Sequence, residues 1–279
     1  MNGKTVVVTG ATGGIGRITA AALAGKGAEV WLIGRNPQKL AQTEADIRRA
    51  HPAAQLHSVR ADLSIQAEVR AAAAELTRTL PRIDVLLNNA GAIFDKRELT
   101  RDGIEATWAL NHLAYFILTQ ELLPLLKAAP AARVVNVSSA AHMIARKGID
   151  WDDVQGARKY SSWTAYGQSK LANILFSNEL ARRTGLASNA LHPGTVRTQF
   201  GGNNDGPMWK VIRGLSGLFS LSEEDGARTS IYLASSPEVE GVHGRYFDKC
   251  KPVAPSPAAQ DTAAAERLWA MSVATTAIR

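Results

Sequence analysis

The chain has 279 residues, of which 46% are hydrophobic and 20% are charged. These values are ordinary for a soluble globular protein and allow one α/β domain with a continuous core. A single cysteine, Cys250, excludes an internal disulfide and a cysteine-built metal site. The formal net charge is +7, but the basic residues are scattered in short clusters. This pattern favours a basic solvated surface that attracts anionic ligands over a nucleic-acid interface.

Short β-rich runs alternate with helical patterns along the chain, which is typical of a doubly wound parallel sheet. Most of the predicted strands are continuous apolar runs, as expected for strands covered on both faces: Thr5–Thr9, Glu29–Gly34, Gln55–Ala61, Val85–Asn88, Ala132–Ser138, Leu186–His192 and Gly244–Phe247. The predicted helices are Ile15–Lys26, Pro37–Ala50, Ile65–Thr79, Ile104–Ala128, Ser162–Thr184 and Glu223–Ala234. We expect a single-domain, Rossmann-type α/β fold, with helices on both faces of a mainly parallel, seven-stranded sheet.

A glycine-rich loop, VVVTGATGGIG at 6–16, closes the first predicted strand and opens the first helix. Gly10 permits a tight turn, Gly14 lets the backbone approach a pyrophosphate, and Gly16 allows close packing of helix on strand. The helix then presents unpaired amides and the positive end of its dipole to the phosphates. The loop predicts a dinucleotide site, although a structural glycine turn alone would show the same pattern.

Three further motifs follow in order: LNNAG at 87–91, VVNVSS at 134–139 and YGQSK at 166–170. The spacing of Tyr166 and Lys170 puts both on one helix face, which has no meaning by itself. Together with the glycine loop, these motifs resemble the short-chain dehydrogenase/reductase family of the classical type over nearly the whole chain. The resemblance implies one domain over 1–279, with a cofactor-binding part at 1–140, a catalytic and substrate part at 141–250 and a C-terminal tail at 251–279.

The resemblance also implies four catalytic residues. Tyr166 would be the acid in reduction and the base in oxidation, while Lys170 would lower its pKa and bind the nicotinamide ribose. Ser139 would hydrogen-bond the substrate oxygen, with the adjacent Ser138 as its competitor. Asn111, in WALNHLAYF, would hold a water linked to Lys170, unless it is a buried structural amide. The histidines show no metal spacing, so no metal is expected.

Charge at the end of the second strand predicts which nicotinamide is bound. A carboxylate there would bind the 2′-hydroxyl of NAD, whereas this chain has Arg35, which suits a 2′-phosphate. Arg17 supplies a second cation, unless it is a solvated surface arginine. NADP(H) is therefore the expected cofactor. The remaining cofactor contacts implied by the resemblance are Thr12, Ile15, Asp62, Leu63, Asn89, Ala90, Gly91, Pro193, Gly194, Val196 and Thr198.

The interval between Ser139 and Tyr166 is longer than is usual in the family. This insertion at 140–161, with the strings NVSSAAH, YGQSKLANILF, LHPGTVRT and ERLW, resembles the retinol dehydrogenase-like branch, which includes the oxidoreductase domain of the WW-domain oxidoreductase. Members mostly use NADP(H), and many act on retinoids, sterols or other lipophilic carbonyls. We expect the interconversion of a carbonyl and an alcohol on such a small molecule.

Residues 208–219 lie where such enzymes place a substrate lid, so Trp209 and Ile212 join Ser139 as candidate substrate contacts. Their apolar face could instead pack on the core or rest weakly on a membrane surface. An NADP(H)-binding regulatory protein without turnover is the alternative function. An intact set of four catalytic residues makes it the lesser hypothesis.

No segment resembles a signal peptide or a membrane span. The N-terminus leads directly into a buried strand, and the most apolar stretch, at 110–126, is interrupted by polar residues and a proline. We expect a cytoplasmic protein without a nucleic-acid partner. The resemblance implies a homodimer or homotetramer through Ile104–Ala128 and Ser162–Thr184, unless the insertion or the tail blocks one of these faces.

Overall fold

The computed structural model describes residues 1–194 and 222–278. Its strands are β1 Thr5–Thr9, β2 Glu29–Gly34, β3 Leu56–Arg60, β4 Val85–Asn88, β5 Arg133–Val137, β6 Ala187–His192, β7 Tyr246–Asp248 and β8 Lys251–Val253. They form one sheet in the order β3-β2-β1-β4-β5-β6-β7-β8. Neighbouring strands pair in parallel, except β7 and β8, which are antiparallel. The doubly wound α/β fold is confirmed, but the described sheet has eight strands instead of seven.

Strand β8 was not predicted because nothing in its sequence marks it. Its three residues are exposed and include Pro252, which is tolerated at the edge of a sheet. A two-residue turn joins it to β7, with Lys249 at a φ of 49° and Cys250 at 62°. Two successive positive φ angles are typical of hairpin turns that contain Asn or Gly, and neither residue here gives that signal.

Helices cover both faces of the sheet, as predicted. They are α1 Gly14–Gly25, α2 Pro37–Ala50, α3 Gln66–Thr79, α4 Ala106–Trp108, α5 Ala114–Glu121, α6 Leu123–Ala128, α7 Ser162–Thr184, α8 Glu223–Ser235 and α9 Thr262–Thr276. The alternation along β1 separates two apolar clusters, because successive side chains of a strand point to opposite faces. Val7 belongs to the cluster that includes residues of α3, α5, α7 and α9, whereas Val6 and Val8 belong to the cluster that includes residues of α1, α2 and α8.

The single helix predicted over Ile104–Ala128 is wrong, since the structure divides this run into α4, a π-helical turn at Ala109–Leu113, α5 and α6. Pro124 lies in the first turn of α6, where its missing amide is tolerated. The π-helical turn contains Asn111 and changes the helical register by one residue at that point. The period of hydrophobic residues in the sequence does not reveal such turns, and they often occur at functional sites.

The insertion at 140–161 packs against the beginning of α7. It opens with a 3₁₀-helix, Ala140–Ile144, which lies so close to Gly167 that a Cβ there would be 2.9 Å from the carbonyl oxygen of Ala141. Near its end, the hydroxyl of Tyr160 donates to Oε1 of Glu105 at 3.2 Å. The first contact holds the N-terminal half of α7, the helix that carries YGQSK, and the second fastens the segment just before α7 to the start of α4.

The tail ends in α9, which packs along α5 and α7. The indole of Trp269 meets Phe116 edge-on at 5.1 Å between ring centroids and stacks on Phe176 at 6.1 Å. The guanidinium of Arg183 lies 4.8 Å from the Trp269 centroid. Helix α9 therefore belongs to the core and covers the outer sides of α5 and α7. No helix in the described ranges is both long and apolar enough to cross a lipid bilayer.

We predict that Trp269→Ala destabilises the whole domain, because it removes the aromatic contacts that fix α9 on α7. The free energy of unfolding should fall by about 2–4 kcal/mol, measured by urea denaturation. Thr275→Ala on the exposed side of the same helix is the matched control and should change it by less than about 0.5 kcal/mol. Equal effects of the two substitutions would show that α9 is not part of the cooperative core.

Candidate active site

A cleft of about 700 Å³ opens at the carboxyl ends of the central strands. Such a volume suits a ligand of cofactor size, and this edge is where doubly wound sheets bind ligands. Its walls come from the loops after β1, β4, β5 and β6 and from α2, α7 and α8. The lining includes Thr12, Gly14, Ile15, Arg17, Lys39, Asn89, Gly91, Ser138, Ser139, Tyr166, Lys170, His192, Pro193, Gly194 and Glu223.

The glycine loop has the close backbone packing that its motif predicts. Gly10 has a φ of 65°, and a Cβ there would lie 2.9 Å from the Cα of Ala90. A Cβ on Gly16 would overlap the carbonyl oxygen of Gly10. Gly13 precedes α1 without a side-chain cap, and the first turn has no acidic residue. Since the first amides of α1 have no side-chain acceptor at this end, the loop fits a pyrophosphate group.

Asn89 ties the end of β4 to the glycine loop. Its Nδ2 donates to the carbonyl oxygen of Thr9 at 2.8 Å, and its backbone amide donates to Oγ1 of Thr9 at 2.8 Å. Asn88 is buried on the other side, where its Nδ2 donates to Oγ1 of Thr119 at 3.0 Å. Both asparagines therefore have structural hydrogen bonds, and Asn89 also lines the cleft.

Six predicted cofactor residues in the described ranges lie outside the lining of this cleft. Three of them, Gly10, Gly16 and Ala90, are the closely packed backbone positions of the glycine loop and the β4 end described above; the other three differ in their surroundings. Arg35 is exposed directly after β2. Asp62 follows β3, and its Oδ1 accepts from the amide and the hydroxyl of Ser64 at 3.0 and 2.7 Å. Leu63 is buried in the apolar cluster that contains Val7. The carboxylate of Asp62 thus has a local structural partner, and any contact with a cofactor would be additional.

Besides Lys170, two lysine or arginine side chains of the described residues line the cleft, and one of them, Lys39, was not among the predicted residues. Lys39 is exposed in the first turn of α2, where its amide donates to the capping Asn36 at 2.9 Å. Its position four residues after Arg35 is the sequence feature that could have indicated Lys39 as a second cation near this site. Arg17 also lines the cleft, but its Nη2 is paired with Oε2 of Glu223 at 3.2 Å.

Lys170 lies at the base of the cleft, where α7 crosses the end of β5. Its Nζ donates to the carbonyl oxygen of Val137 at 2.9 Å and lies 5.5 Å from the centroid of the Tyr166 ring. A Cβ on Gly91 would be 3.3 Å from this Nζ and 3.1 Å from Oδ1 of Asn111. The LNNAG motif, the π-helical turn and the YGQSK motif therefore meet around one buried amine.

Asn111 is fully buried, and its side-chain amide is bonded within the protein. Oδ1 accepts from the amide of Ala92 at 2.9 Å, while Nδ2 donates to the carbonyl oxygen of Ala92 and to Oγ of Ser169, both at 2.9 Å. These bonds fasten the loop after β4 to the π-helical turn. The structural role of Asn111 thus has direct support, and its water-holding role stays a prediction.

The two adjacent serines differ in what their hydroxyls contact. Oγ of the buried Ser138 donates to the carbonyl oxygen of Lys170 at 2.7 Å. Oγ of Ser139 accepts from the amide of Ala141 at 3.1 Å, and the same side chain is hydrogen-bonded with Tyr166. The Ser138 hydroxyl is therefore committed to the backbone of α7, whereas the Ser139 hydroxyl stands beside the tyrosine.

Burial changes the acid–base properties of Tyr166 and Lys170 in opposite directions. It raises the pKa of the Tyr166 hydroxyl well above its ordinary value, although the hydrogen bond with Ser139 lowers that pKa. It lowers the pKa of Lys170 to about 7. The expected lowering of the tyrosine pKa by Lys170 is not what this structure shows. An amine with such a pKa carries only a partial charge at neutral pH, and burial of the phenol outweighs it.

Of the remaining predicted residues, two lie within the described ranges and four lie outside them. Pro193 and Gly194 follow β6 and line the cleft. Val196, Thr198, Trp209 and Ile212 lie outside the described residues.

Known proteins resemble this chain in sequence and in structure. The short chain dehydrogenase family model matches residues 4–207. Human retinol dehydrogenase 14 is 41% identical over 98% of this chain and 86% of its own length, and human retinol dehydrogenase 13 is 40% identical over 97% and 83%. A Mycobacterium paratuberculosis structure has a TM-score of 0.77 and 34% identity, covering 100% of this chain and 95% of that one.

A Shigella flexneri short chain dehydrogenase complexed with NADP has a TM-score of 0.69 and 26% identity, over 90% of this chain and 98% of that one. The family match covers most of the chain, and the similarity to the retinol dehydrogenases extends to almost all of it. The sheet order and the cleft at its carboxyl edge agree with both. The chain therefore belongs to the short-chain dehydrogenase family, in its retinol dehydrogenase-like branch.

Proposed function

We propose that this short-chain oxidoreductase uses NADP(H) to interconvert a carbonyl and an alcohol on a lipophilic small molecule. The observation that carries the proposal is the convergence of Tyr166, Lys170 and Ser139 on one cleft that also contains the glycine loop. A proton donor, a cation and a hydrogen-bonding hydroxyl are the groups that carbonyl reduction requires from a protein. The names of the retinol dehydrogenases that resemble this chain indicate the same class of reaction.

In this proposal the cofactor lies along the carboxyl edge of the sheet and supplies or accepts the hydride when it is bound. The amides at the start of α1 hold the pyrophosphate, beside Thr12 and Ile15. Arg35 and Lys39 bind the 2′-phosphate, because both stand where β2 ends and α2 begins. Arg17 would exchange its carboxylate partner for a phosphate. The NADP complex of the Shigella flexneri protein supports this choice of cofactor.

The proposed proton chemistry takes place at the Tyr166 hydroxyl. A substrate oxygen placed between Tyr166 and Ser139 would accept a hydrogen bond from each, since the two side chains are already bonded to one another. Tyr166 then donates its proton in reduction and removes one in oxidation. Lys170 has its pKa lowered to about 7, so it changes charge near neutral pH. Any nearby group that favours the ammonium would make Lys170 fully cationic, which in turn favours the phenolate of Tyr166.

An apolar rim beside the tyrosine supports a lipophilic substrate. Met143, Ile144 and Trp163 are 57%, 47% and 38% exposed, which is high for large apolar side chains. The Trp163 ring lies 6.5 Å from the Tyr166 ring, and Ile144 packs against Gly167 one residue further along α7. A hydrophobic ligand that covers this rim would remove it from water, which is favourable. Trp209 and Ile212 remain proposed contacts of the same ligand.

A homodimer or homotetramer is proposed on the resemblance alone, whereas a cytoplasmic location, weak contact with a membrane surface and the absence of a nucleic-acid partner are proposed from the sequence pattern. Helix α9 bears on the assembly, because Trp269 covers the outer side of α7 at Phe176. An assembly that uses the outer sides of α5 and α7 would therefore have to include α9 in its interface.

We predict that the protein oxidises NADPH with aliphatic, aromatic and isoprenoid aldehydes, retinal among them, and that small hydrophilic sugars are not reduced. Tyr166→Phe should lower kcat/KM by about 100-fold or more, because the proton donor is lost. Ser139→Ala should lower it by about tenfold to 100-fold, because one hydrogen bond to the developing oxyanion is lost. The measurement is the initial rate of NADPH absorbance loss with each aldehyde.

Ser138→Ala is the matched control, and its kcat/KM should stay within about threefold of the unmodified protein, because its hydroxyl serves the backbone of α7. A larger loss at Ser138 than at Ser139 would contradict the assignment of the two serines. Tight NADPH binding without turnover of any aldehyde, unaffected by Tyr166→Phe, would favour the regulatory alternative.

We predict that Arg35→Ala and Lys39→Ala each raise the Kd of NADPH by about tenfold, since each removes a charged hydrogen bond to the 2′-phosphate. The Kd of NADH, which has no such phosphate, should change by less than about twofold. Fluorescence titration measures both. Arg78→Ala, on the exposed side of α3, removes the same charge elsewhere and is the control. Equal weakening of NADPH and NADH would contradict the assignment.

A further inference from the structure

Two histidines hold the peptide group between Ser139 and Ala140, one at each end. Nδ1 of His142 lies 2.7 Å from the carbonyl oxygen of Ser139. At the other end, the amide of Ala140 donates to Nδ1 of His192 at 3.2 Å. The peptide group that directly follows the Ser139 side chain is therefore bonded to an imidazole through both its oxygen and its nitrogen.

The partners of His142 determine which ring nitrogen carries the proton. Its Nε2 accepts from the amide of Ser256 at 3.1 Å, so the proton is on Nδ1, which donates to the Ser139 oxygen. His192 accepts at Nδ1, so its proton is on Nε2. Burial lowers the pKa of both histidines, which keeps both rings neutral at neutral pH.

The His142 ring is confined on several sides. It is buried, and it meets Tyr246 of β7 edge-on at 5.1 Å between centroids. Its two nitrogens join the tail at Ser256 to the 3₁₀-helix that begins beside Ser139. Because the ring has little freedom, its bond to the Ser139 oxygen restricts the backbone more than a contact with solvent would.

We propose that His142 and His192 are positioning residues that hold the Ser139 hydroxyl in line with Tyr166. This inference rests on the proposed function, since it requires that Ser139 bind the substrate oxygen. Displacement of the 139–140 peptide would shift the backbone that carries the Ser139 hydroxyl and its bond with the amide of Ala141, and catalytic hydrogen bonds tolerate little displacement. A purely structural role would instead affect stability without acting through Ser139.

Two amide substitutions at His142 separate these roles, because each keeps one of its two hydrogen bonds. His142→Asn places an amide nitrogen near the position of Nδ1 and keeps the donor to Ser139. His142→Gln places an amide oxygen near the position of Nε2 and keeps the acceptor for Ser256. The two variants should lose similar stability in thermal unfolding, since each loses one buried hydrogen bond.

We expect His142→Gln to lower kcat in NADPH-dependent aldehyde reduction by about tenfold, with the Kd of NADPH unchanged. His142→Asn should keep kcat within about threefold, and it acts as the conservative rescue. In a Ser139→Ala background, His142→Gln should cause little further loss, because residues that act through one another are not additive. Equal kcat in the two His142 variants, or a full additional loss in the Ser139→Ala background, would overturn the inference.

Full activity of Ser139→Ala itself would overturn the proposed function of that serine, and this inference with it. A loss in Ser139→Ala without a difference between the His142 variants would overturn the inference alone. The unmodified protein provides a second test, through the ¹⁵N shifts of its histidine rings. We expect the Nδ1–H form for His142 and the Nε2–H form for His192, and the opposite form at either ring would contradict the proposal.

Discussion

An amine is buried where four separate stretches of this chain meet, and much of the local structure serves to surround it. Nζ of Lys170 has the carbonyl oxygen of Val137 as a hydrogen-bond partner at 2.9 Å, and Gly91 and Asn111 close around it. Burial of an ammonium group is costly, which is why the pKa of Lys170 is lowered to about 7. Keeping this amine buried beside Tyr166 lowers the stability of the fold. In return, the charge of the Lys170 amine responds to what binds in the site.

The elements around the amine are held by contacts far apart in the sequence. The loop after β4 is fixed to the π-helical turn by Asn111, and the beginning of α7 is held by the insertion through Gly167. The far half of α7 is covered by α9, where Trp269 packs on Phe176. The insertion and the tail, which lie outside the regular alternation of strands and helices, therefore support the helix that carries the reactive groups. The peptide group that follows the Ser139 side chain is likewise hydrogen-bonded at both its oxygen and its nitrogen.

Local patterns were enough to predict the parallel sheet, helices such as Pro37–Ala50 and Ser162–Thr184, and the residues of the cleft that follow each strand. What they missed depends on contacts between distant residues. The π-helical turn at Asn111 does not alter the hydrophobic pattern, and β8 has no apolar or turn signal. The hydrogen bond from the Ser138 hydroxyl to the carbonyl oxygen of Lys170 also could not be predicted. Strand alternation shows only that the side chains of two adjacent serines point to opposite faces. The direction of the Tyr166 pKa shift reflects burial by the whole fold, which a motif does not record.

The state of the Lys170 amine is the point on which this account depends, and its titration tests it most directly. Proton-detected ¹⁵N or ¹³C NMR of labelled lysines would follow it across neutral pH, with Lys170→Met identifying its signal. We expect a midpoint of about 7. Between that value and the ordinary lysine pKa of 10.5 the unfolded chain binds more protons than the folded one, so stability should rise with pH in this window. A midpoint near 10.5 would contradict the account, because the amine would then be an ordinary, permanently charged lysine.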